Sequence, residues 1–438
     1  MTVTFFLRTA LAGAVATALA VTAAPTSAEA ARNHRPDRPT GLTTSPATDC
    51  AATPPSFAPD GDVSLHADGT TKIGKPVEIV IAKGAGGVVP TGYRYSLNRS
   101  EHRAATADTE GRATITVTPQ RFLNTLEVYG LSPAGNIGDS TTITFNSDAG
   151  DLADEGDLTG DGHTDLAVVG GANGLSSGLW LAAGNGSGGL GANAVNLTPA
   201  GIGAGGGPAE VDGAQVVTGR FTGGTFQDVL IYYPAGDRAG MAAILRGNGD
   251  GSPIRADISG NAVYLPAGLL SDNRGNDPVQ LVRAAHTADN VLPDLIGIAG
   301  NRLTYIANSG FTGGYLSRPL PQQTTPTGDL AWNTWTLAGT ATADGRATLF
   351  LWQKTTGQLY AWRDVTFDPA TKTISYTEQH LSDSWYPAQS ITPSAADING
   401  DDVADLWAVG PTATATPWTV TPSGTITAGP AQPITPAP

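Results

Sequence analysis

The chain has 438 residues, which is enough for two or three domains, and only 14% of the residues are charged. With 56 glycines, 31 prolines and no long apolar stripe of helical period, the composition predicts an all-β protein with many turns. The formal net charge of -15 disfavours nucleic acid and anionic lipid as partners, and it suits divalent cations.

The first thirty residues have the pattern of a secretory signal peptide. Arg8 precedes an apolar stretch of small residues at 9–24, and Ala28-Glu29-Ala30 is an A-x-A cleavage site. We therefore expect residues 1–30 to be removed and the mature protein to be extracellular, with an uncleaved N-terminal anchor as the alternative. No second apolar run is long enough to predict a membrane span.

Residues 31–59 are rich in Pro, Thr, Ala and Ser, a composition typical of a flexible linker. This segment contains Cys50, the only cysteine of the chain, so no intrachain disulfide can form. Whether the thiol is free, buried or bridged to another chain stays open.

Residues 60–147 show short runs of alternating polar and apolar residues at the spacing of a β-sandwich. The predicted strands are 77–81, 93–97, 113–117, 126–129 and 142–145. At 93–98, 116–119, 124–126 and 132–136 the segment resembles the immunoglobulin-like modules of exported bacterial proteins. The resemblance implies an immunoglobulin-like sandwich, and a structural role fits it better than a ligand site.

Residues 157–165 alternate oxygen donors along a tight loop, the arrangement by which a loop wraps calcium. The donors are the side chains of Asp157, Thr159, Asp161 and Asp165 and the carbonyl of His163. Gly162 permits the sharp turn. An EF-hand would need flanking helices and a Glu at position 12, whereas here Val168 occupies that position in an apolar strand. The pattern predicts a calcium loop in a β context.

A second copy of the loop lies near the end of the chain. Its donors are the side chains of Asp397, Asn399, Asp401 and Asp405 and the carbonyl of Val403. Asp402 replaces the turn glycine, and Asp is one of the residues that enter left-handed backbone geometry. Three acids within nine residues repel one another without a cation, so calcium is favoured over an acid and base pair.

Three degenerate copies, at 219–231, 285–297 and 340–351, keep the flanking strand but lose most donors. Arg220 stands where the first carboxylate should be, and we expect these copies to hold no metal. The first loop positions, 157, 220, 286, 340 and 397, are 63, 66, 54 and 57 residues apart. Each copy is followed by a turn and another strand, so the chain predicts a repeat of β-propeller blades.

The two intact loops and the strands that follow them resemble the FG-GAP or VCBS repeat family. The resemblance covers about residues 150–438, and we place the corresponding domain at 148–438. It implies a β-propeller with a calcium loop between the first two strands of a blade. It also implies adhesion or ligand binding without catalysis. Five blades is the favoured division, and seven blades of about forty residues is the alternative.

Two catalytic motifs are matched without their structural context. Residues 174–178 spell G-x-S-x-G and residues 184–189 spell G-x-G-x-x-G, but neither is followed by a predicted helix. All eight tryptophans follow residue 150. We expect them to pack between blades, with Trp385 as the best candidate for an exposed ring.

The leading hypothesis is an exported, non-catalytic, calcium-binding β-propeller protein that presents a ligand-binding or adhesion surface. Calcium would be structural, at one or two sites of about 10⁻⁴ to 10⁻³ M affinity. The expected partner is an extracellular ligand such as a polysaccharide or a surface protein. One alternative is a secreted hydrolase or lyase of propeller fold that acts on polysaccharide. The other is a spacer or accessory repeat protein of a secreted complex.

Overall fold

The structure is a computed structural model that describes residues 56–57, 71–84, 88–203, 205–258, 260–286, 292–320, 323–342 and 346–437. The predicted signal peptide, most of the predicted linker and Cys50 lie outside the described residues. Within those ranges the chain is all-β, with two short 3₁₀ helices at Pro208–Val211 and Trp332–Thr334 and no α-helix. The prediction of an all-β protein is therefore confirmed. The described part of the chain also contains no helix with the length and apolar character to cross a membrane.

The N-terminal strands form two sheets among the described residues. In chain order these strands are β1 (Ser56–Phe57), β2 (Thr71–Lys72), β3 (Val77–Ala82), β4 (Gly92–Leu97), β5 (Arg103–Thr106), β6 (Ala113–Val117), β7 (Leu123–Leu131) and β8 (Ile137–Asp148). One sheet has the order β1-β3-β6 and the other β2-β8-β7-β4-β5, and the short β2–β8 pair is parallel. The five strands predicted in this segment are all present.

These two sheets share one apolar core. Inward and outward side chains alternate along β3 and β6, so each strand presents one buried face. Ile79 and Ile115 from the first sheet lie in the same buried cluster as Tyr93 and Leu126 from the second. The short alternating runs of the sequence thus produce two sheets that pack on each other.

Five further sheets follow in the described part of the chain, and we number them sheet 1 to sheet 5. Sheet 1 contains β9 (Leu166–Val169), β10 (Leu179–Gly184) and β11 (Leu190–Asn196). Sheet 2 contains β12 (Gln215–Gly219), β13 (Asp228–Tyr232), β14 (Ala242–Leu245) and β15 (Ala262–Leu265). Sheet 3 contains β16 (Pro278–Arg283), β17 (Leu295–Ala299), β18 (Arg302–Asn308) and β19 (Tyr315–Pro319).

Sheet 4 contains β20 (Trp335–Ala341), β21 (Ala347–Gln353), β22 (Gln358–Asp368) and β23 (Thr373–Ser382). Sheet 5 contains β24 (Thr392–Ala396), β25 (Asp405–Gly410), β26 (Thr414–Val420) and β27 (Ile426–Ala428). Every neighbouring pair in these sheets is antiparallel, in chain order. The predicted succession of strand, loop, strand, turn and strand is confirmed in sheets 2 to 5. Sheet 1 lacks the strand before its loop, because residues 151–156 are not in a strand.

Buried apolar clusters join each sheet to the next. Among the described residues, one cluster joins sheets 1 and 2, another sheets 2 and 3, a third sheets 3 and 4, and a fourth sheets 4 and 5. A fifth cluster joins sheet 5 back to sheet 1, with Trp407 on β25 and Trp180 on β10. The first strands β12, β16, β20 and β24 lie beside one another in that order, and β9 lies beside β12. The five sheets therefore form a closed series.

The C-terminal segment lies across the junction of sheets 5 and 1. Its strand β28 (Gln432–Pro433) pairs with β26. Ala194 on β11 donates its N–H to the carbonyl of Thr435 (2.6 Å) and accepts from the N–H of Ala437 (2.9 Å). Ile434 is buried in the cluster that holds Trp180 and Trp407. The end of the chain thus adds backbone hydrogen bonds to the outer strand of sheet 1.

The N-terminal two-sheet unit contacts sheet 2 and its loops. Arg103 forms a salt bridge with Asp250 (3.1 Å), and Arg121 donates a hydrogen bond to the side chain of Asn261. The N–H of Ala153, just after the unit, donates to the carbonyl of Thr225 (2.9 Å). These contacts place the unit against the turns at one end of sheet 2.

Candidate functional site

The first predicted calcium loop is ordered by its own aspartates. The N–H groups of Gly160 and Gly162 donate to the two carboxylate oxygens of Asp157, at 2.6 Å and 3.0 Å. The N–H of His163 donates to Asp161 (2.9 Å). Short carboxylates capture nearby backbone N–H groups in this way in turns, and they leave further lone pairs for a cation.

Asp165 connects this loop to sheet 1. Its Oδ2 accepts the N–H groups of Leu158 and Thr159, both at 2.8 Å, and its Oδ1 accepts the N–H of Gly184 at the end of β10 (2.9 Å). Burial raises the pKa of Asp165 to about 6, against the effect of these hydrogen bonds. Burial likewise raises the pKa of Asp157. Both carboxylates therefore lie where a negative charge is poorly solvated.

Part of the predicted donor set converges in the first loop. The hydroxyl of Thr159 is 3.4 Å from a carboxylate oxygen of Asp157 and 3.4 Å from one of Asp165. Asp161 and His163 are exposed. No three His, Cys, Asp or Glu side chains form a metal-binding group in the part of the chain that the structure describes. The three converging oxygens are of the type that calcium prefers.

The second predicted loop has a similar framework with more exposed donors. Asp397 accepts the N–H groups of Gly400 (2.8 Å) and Asp402 (2.8 Å). Asp402, in place of the turn glycine, has a φ of 64°. It therefore adopts the left-handed backbone geometry expected at the turn position of the loop. Val403 donates its N–H to Asp401 (3.0 Å). The Asn399 side chain donates through its nitrogen to the carboxylate of Asp401 (3.1 Å) and accepts the N–H of Asp401 at its amide oxygen (3.0 Å).

Asp405 occupies the same place in sheet 5 as Asp165 in sheet 1. It accepts the N–H of Ile398 in the loop (3.3 Å) and the N–H of Val420 at the end of β26 (2.6 Å). Burial raises the pKa of Asp405 to about 7. Each of the two predicted sites therefore contains its own buried carboxylate, which links the loop to the third strand of its repeat.

Two of the three degenerate copies keep this linking aspartate after losing the other donors, and the copy at 340–351 has Thr348 at that position. Asp228 accepts the N–H of Thr222 (2.7 Å) and of Gly247 (3.2 Å), and burial raises its pKa to about 6. Asp294 accepts the hydroxyl of Tyr305 and the N–H of Asn308, both at 2.6 Å. Residues 287–291 and 343–345, which complete the third and fourth copies, lie outside the described residues.

A buried ion cluster, which the sequence did not predict, lies beside the first loop. Glu155 forms salt bridges with Arg220 (3.3 Å) and with Arg283, and its side chain is 11% exposed. The Gln227 side chain also donates to it (3.2 Å). Arg220, the residue at the degenerate first position, thus binds the segment that replaces the missing strand of sheet 1. No motif in the sequence around Glu155 indicates this contact.

The first strands of the sheets line a shared cavity of about 380 Å³, which we call the central cavity. Its wall comes from β9, β12, β16, β20 and β24, and from Glu155, Asp165 and Arg283 at one end. A second cavity of about 280 Å³, with more carboxylates in its lining, shares Glu155, Thr164 and Thr340 with it. The second cavity is lined by Asp154, His163, Asp397 and Asp402 as well, so both predicted calcium loops border it.

Glutamine side chains join neighbouring first strands across this cavity wall. Gln215 on β12 donates to the carbonyl of Val279 (3.0 Å) and accepts the N–H of Leu281 (2.8 Å) on β16. Gln280 on β16 repeats the arrangement, with the carbonyl of Trp335 (2.7 Å) and the N–H of Leu337 (2.9 Å) on β20. Each amide therefore bridges two sheets that share no strand ladder among the described residues.

The tryptophans pack as predicted, with one error. Seven of the eight are buried, and they include Trp385, which is 2% exposed. The prediction that Trp385 is the best exposed ring is wrong, because it contacts Trp352 and Trp418 edge to face and accepts a hydrogen bond from Trp352 at its carbonyl. The segment that does not repeat in sequence still fills the space between sheets 4 and 5.

The two catalytic motifs lie in loops. In the G-x-S-x-G segment, Ser177 donates to Asp212 (2.6 Å) and the carbonyl of Ser176 accepts from Trp180 (2.8 Å). The G-x-G-x-x-G segment connects β10 to β11, and Asn185 accepts the N–H groups of Ser187 and Gly189 there. The second segment is therefore the turn of a hairpin formed by the antiparallel strands β10 and β11.

No protein-family model matches the chain, and no curated protein matches it. A crystal structure of an auxiliary nutrient binding protein from Bacteroides ovatus ATCC 8483 matches at a TM-score of 0.30 and 11% identity, over 83% of this chain and 84% of that one. A Ca²⁺-stabilized adhesin that helps an Antarctic bacterium bind ice matches at a TM-score of 0.16 and 11% identity, over 89% of this chain and 100% of that one. Both similarities are too distant to carry an argument about fold or function.

Proposed function

We propose that the chain is an exported, non-catalytic binding protein, built as a five-bladed β-propeller behind an immunoglobulin-like sandwich. The observation that carries the proposal is the closed series of sheets. Each sheet packs on the next through an apolar cluster, and the last packs on the first. Sheets that pack radially around a central cavity define a propeller. Each sheet holds one copy of the loop repeat, which favours five blades over seven.

Calcium would bind in the first and fifth blades. In the first blade, Asp157, Thr159 and Asp165 already converge, and Asp161 and the carbonyl of His163 would complete the set. In the fifth, the corresponding donors are Asp397, Asn399, Asp401, Asp405 and the carbonyl of Val403. A bound ion would offset the charge of carboxylates whose pKa is raised by burial. Its contribution would be to hold the loop, at about 1.4 kcal/mol per site when calcium is ten times the dissociation constant.

The carboxylates in the central cavity favour binding over catalysis, because both are engaged by salt bridges or hydrogen bonds within the protein. Of the described residues that line it, Glu155 and Asp165 carry carboxylates. Glu155 is paired with two arginines, and Asp165 accepts three backbone N–H groups. A glycosidase needs one carboxyl group that donates a proton and another that acts as base or nucleophile. Neither of these groups is placed for that work.

One observation favours the hydrolase or lyase alternative. The smaller cavity brings Asp154, from the segment before the first loop, together with Asp397 and Asp402 of the fifth blade. These are carboxylates from different repeats in one concave site, which is the arrangement that the alternative requires. Asp397 is already engaged by the backbone of its own loop, so Asp154 and Asp402 are the pair to test.

The test is a binding and turnover experiment on the full chain. Glycan-array and cell-wall pull-down measurements should give saturable binding, and incubation with each bound polysaccharide should release no reducing ends and no unsaturated products. Product formation that is abolished by Asp154→Asn would establish the enzyme instead. If no surface polymer binds and the chain forms a stable complex with a secreted protein, the accessory role replaces the proposal.

A further inference from the structure

The central cavity has a volume at the lower end of the range for small-molecule sites. Its lining is rich in neutral polar groups from several blades. The hydroxyls come from Thr218, Thr336, Thr340, Thr392 and Ser394, and an amide comes from Asn173. Apolar residues such as Val216 and Leu337 lie between them. A cavity of this size and polarity suits one small hydroxylated molecule.

Arg283 is a buried cation at one end of this cavity. It is the last residue of β16 and is 7% exposed. One terminal nitrogen pairs with Glu155, but its Nε is buried and has no hydrogen-bond partner among the described residues. A buried N–H donor without an acceptor destabilises the folded protein, because it loses its hydrogen bonds to water without replacing them. A group in the cavity that accepts a hydrogen bond from Arg283 would remove this cost.

The charges around Arg283 favour an anionic acceptor. Glu155 alone balances both Arg283 and Arg220 within the ion cluster. The other carboxylate of the lining, Asp165, directs its oxygens to the N–H groups of Leu158, Thr159 and Gly184. The guanidinium therefore keeps donor capacity that the protein does not use, and its planar fork matches a carboxylate.

We propose that the central cavity binds a small hydroxylated carboxylate, of the hexuronic acid type, with its carboxylate held by Arg283 and its hydroxyls by the threonine and serine lining. The site is internal and distinct from the outer surfaces of the proposed function, and Asp165 is the one proposed calcium donor in its lining. Each can fail alone, because surface binding and calcium dependence do not require Arg283.

The experiment is calorimetric titration of the full chain with glucuronate and galacturonate, with glucose, galactose and acetate as matched controls. We expect the hexuronates to bind and the neutral sugars and acetate to bind about tenfold more weakly or not at all. Arg283→Lys keeps the charge but removes the fork and Nε, and it should weaken hexuronate binding about tenfold or more. Thr336→Val, which keeps the side-chain volume, should weaken it by a smaller factor.

Arg283→Lys also changes the salt bridge with Glu155, so the folding of this variant is checked by thermal melting. If that variant does not fold, Thr336→Val and a crystal structure of the wild-type protein with glucuronate decide the matter. A carboxylate within hydrogen-bond distance of Arg283 Nε is the expected result. Equal binding of glucose and glucuronate, or a cavity that holds only water at saturating hexuronate, would overturn the proposal.

Discussion

At the scale of single residues, the most persistent element of the repeat is the aspartate that opens the second strand. Asp165, Asp228, Asp294 and Asp405 each accept hydrogen bonds from groups that fix the loop or the third strand. This linking role needs no metal. It explains why Asp228 and Asp294 persist in copies that have lost the other donors.

Asp228 gives a pH dependence whose sign follows from its burial. Its pKa is about 6 in the folded protein and near 3.8 when unfolded, so the folded state holds the proton more tightly. Stability from this group is therefore greatest below pH 4 and is lost as the pH rises to about 6. The difference in unfolding free energy between wild type and Asp228→Asn should change by about 2–3 kcal/mol over this interval. Denaturant titrations in chelator at several pH values measure it, and a constant offset would contradict the assignment.

Glu155 is predicted to be a strong determinant of stability. Glu155→Gln leaves Arg220 and Arg283 without a counter-charge in a buried site, and breaking such a pair costs about 3–5 kcal/mol. Glu78→Gln, on the exposed face of β3, is the matched control and should change stability by less than about 0.5 kcal/mol. Urea unfolding of both variants gives the comparison. Equal effects at the two positions would show that the cluster adds nothing.

At the scale of secondary-structure elements, neighbouring sheets are joined by side chains rather than by strand pairing. Gln215 and Gln280 each supply one donor and one acceptor to the backbone of the next first strand. The corresponding positions of sheets 4 and 5 hold threonines instead of glutamines. They are Thr336 on β20, opposite Trp352, and Thr392 on β24, opposite Val409. Threonine is too short for the same bridge, so among the described residues these glutamine bridges join only sheets 2, 3 and 4.

Gln280→Leu should therefore destabilise the protein more than an equivalent change elsewhere. It leaves a backbone carbonyl and an N–H of β20 without their partners, at a cost of about 1–3 kcal/mol each. Gln358 lies at the partly buried start of β22 and makes no side-chain hydrogen bond to a described residue, so Gln358→Leu serves as the control. Thermal melting of the two variants side by side is the measurement. A larger loss for Gln358→Leu would refute the bridging role.

At the scale of the whole molecule, the series of sheets is closed by contacts between residues far apart in the chain. Gln432 accepts the N–H of Leu190 (2.7 Å) and donates to the carbonyl of Gly188 (2.9 Å). Ile434 is 3% exposed in the cluster between sheets 5 and 1. The end of the chain thus stabilises the junction between the last and first sheets.

Ile434→Ala should lower the free energy of unfolding by about 2–4 kcal/mol, because it opens a cavity in this junction. Deletion of the residues after Ala431 should lower it further. Ile137→Ala, at a position 53% exposed, provides the surface control and should cost much less. Calorimetric melting of the three variants tests the closure, and a deletion that melts like wild type would contradict it.

The features that the sequence predicts correctly are those set by residues close together in the chain. The all-β class, the strands at 77–81 and 113–117, and the strand that follows each loop depend on alternation and turn residues within short windows. The Glu155 cluster, the glutamine bridges and the C-terminal junction depend on pairs separated by tens to hundreds of residues, and no periodic signal marks them. The predicted exposure of Trp385 is wrong for the same reason, since Trp352 and Trp418 from other strands bury its ring.

Calcium dependence of the melting temperature tests the central claim most directly. The account predicts that calcium raises the melting temperature of the full chain by a few degrees over chelator, and that magnesium at the same concentration does so less. Asp157→Ala and Asp397→Ala should each remove part of this increase, and the double variant should remove all of it. A wild-type melting temperature that is the same in calcium and in chelator would contradict the calcium-bearing propeller.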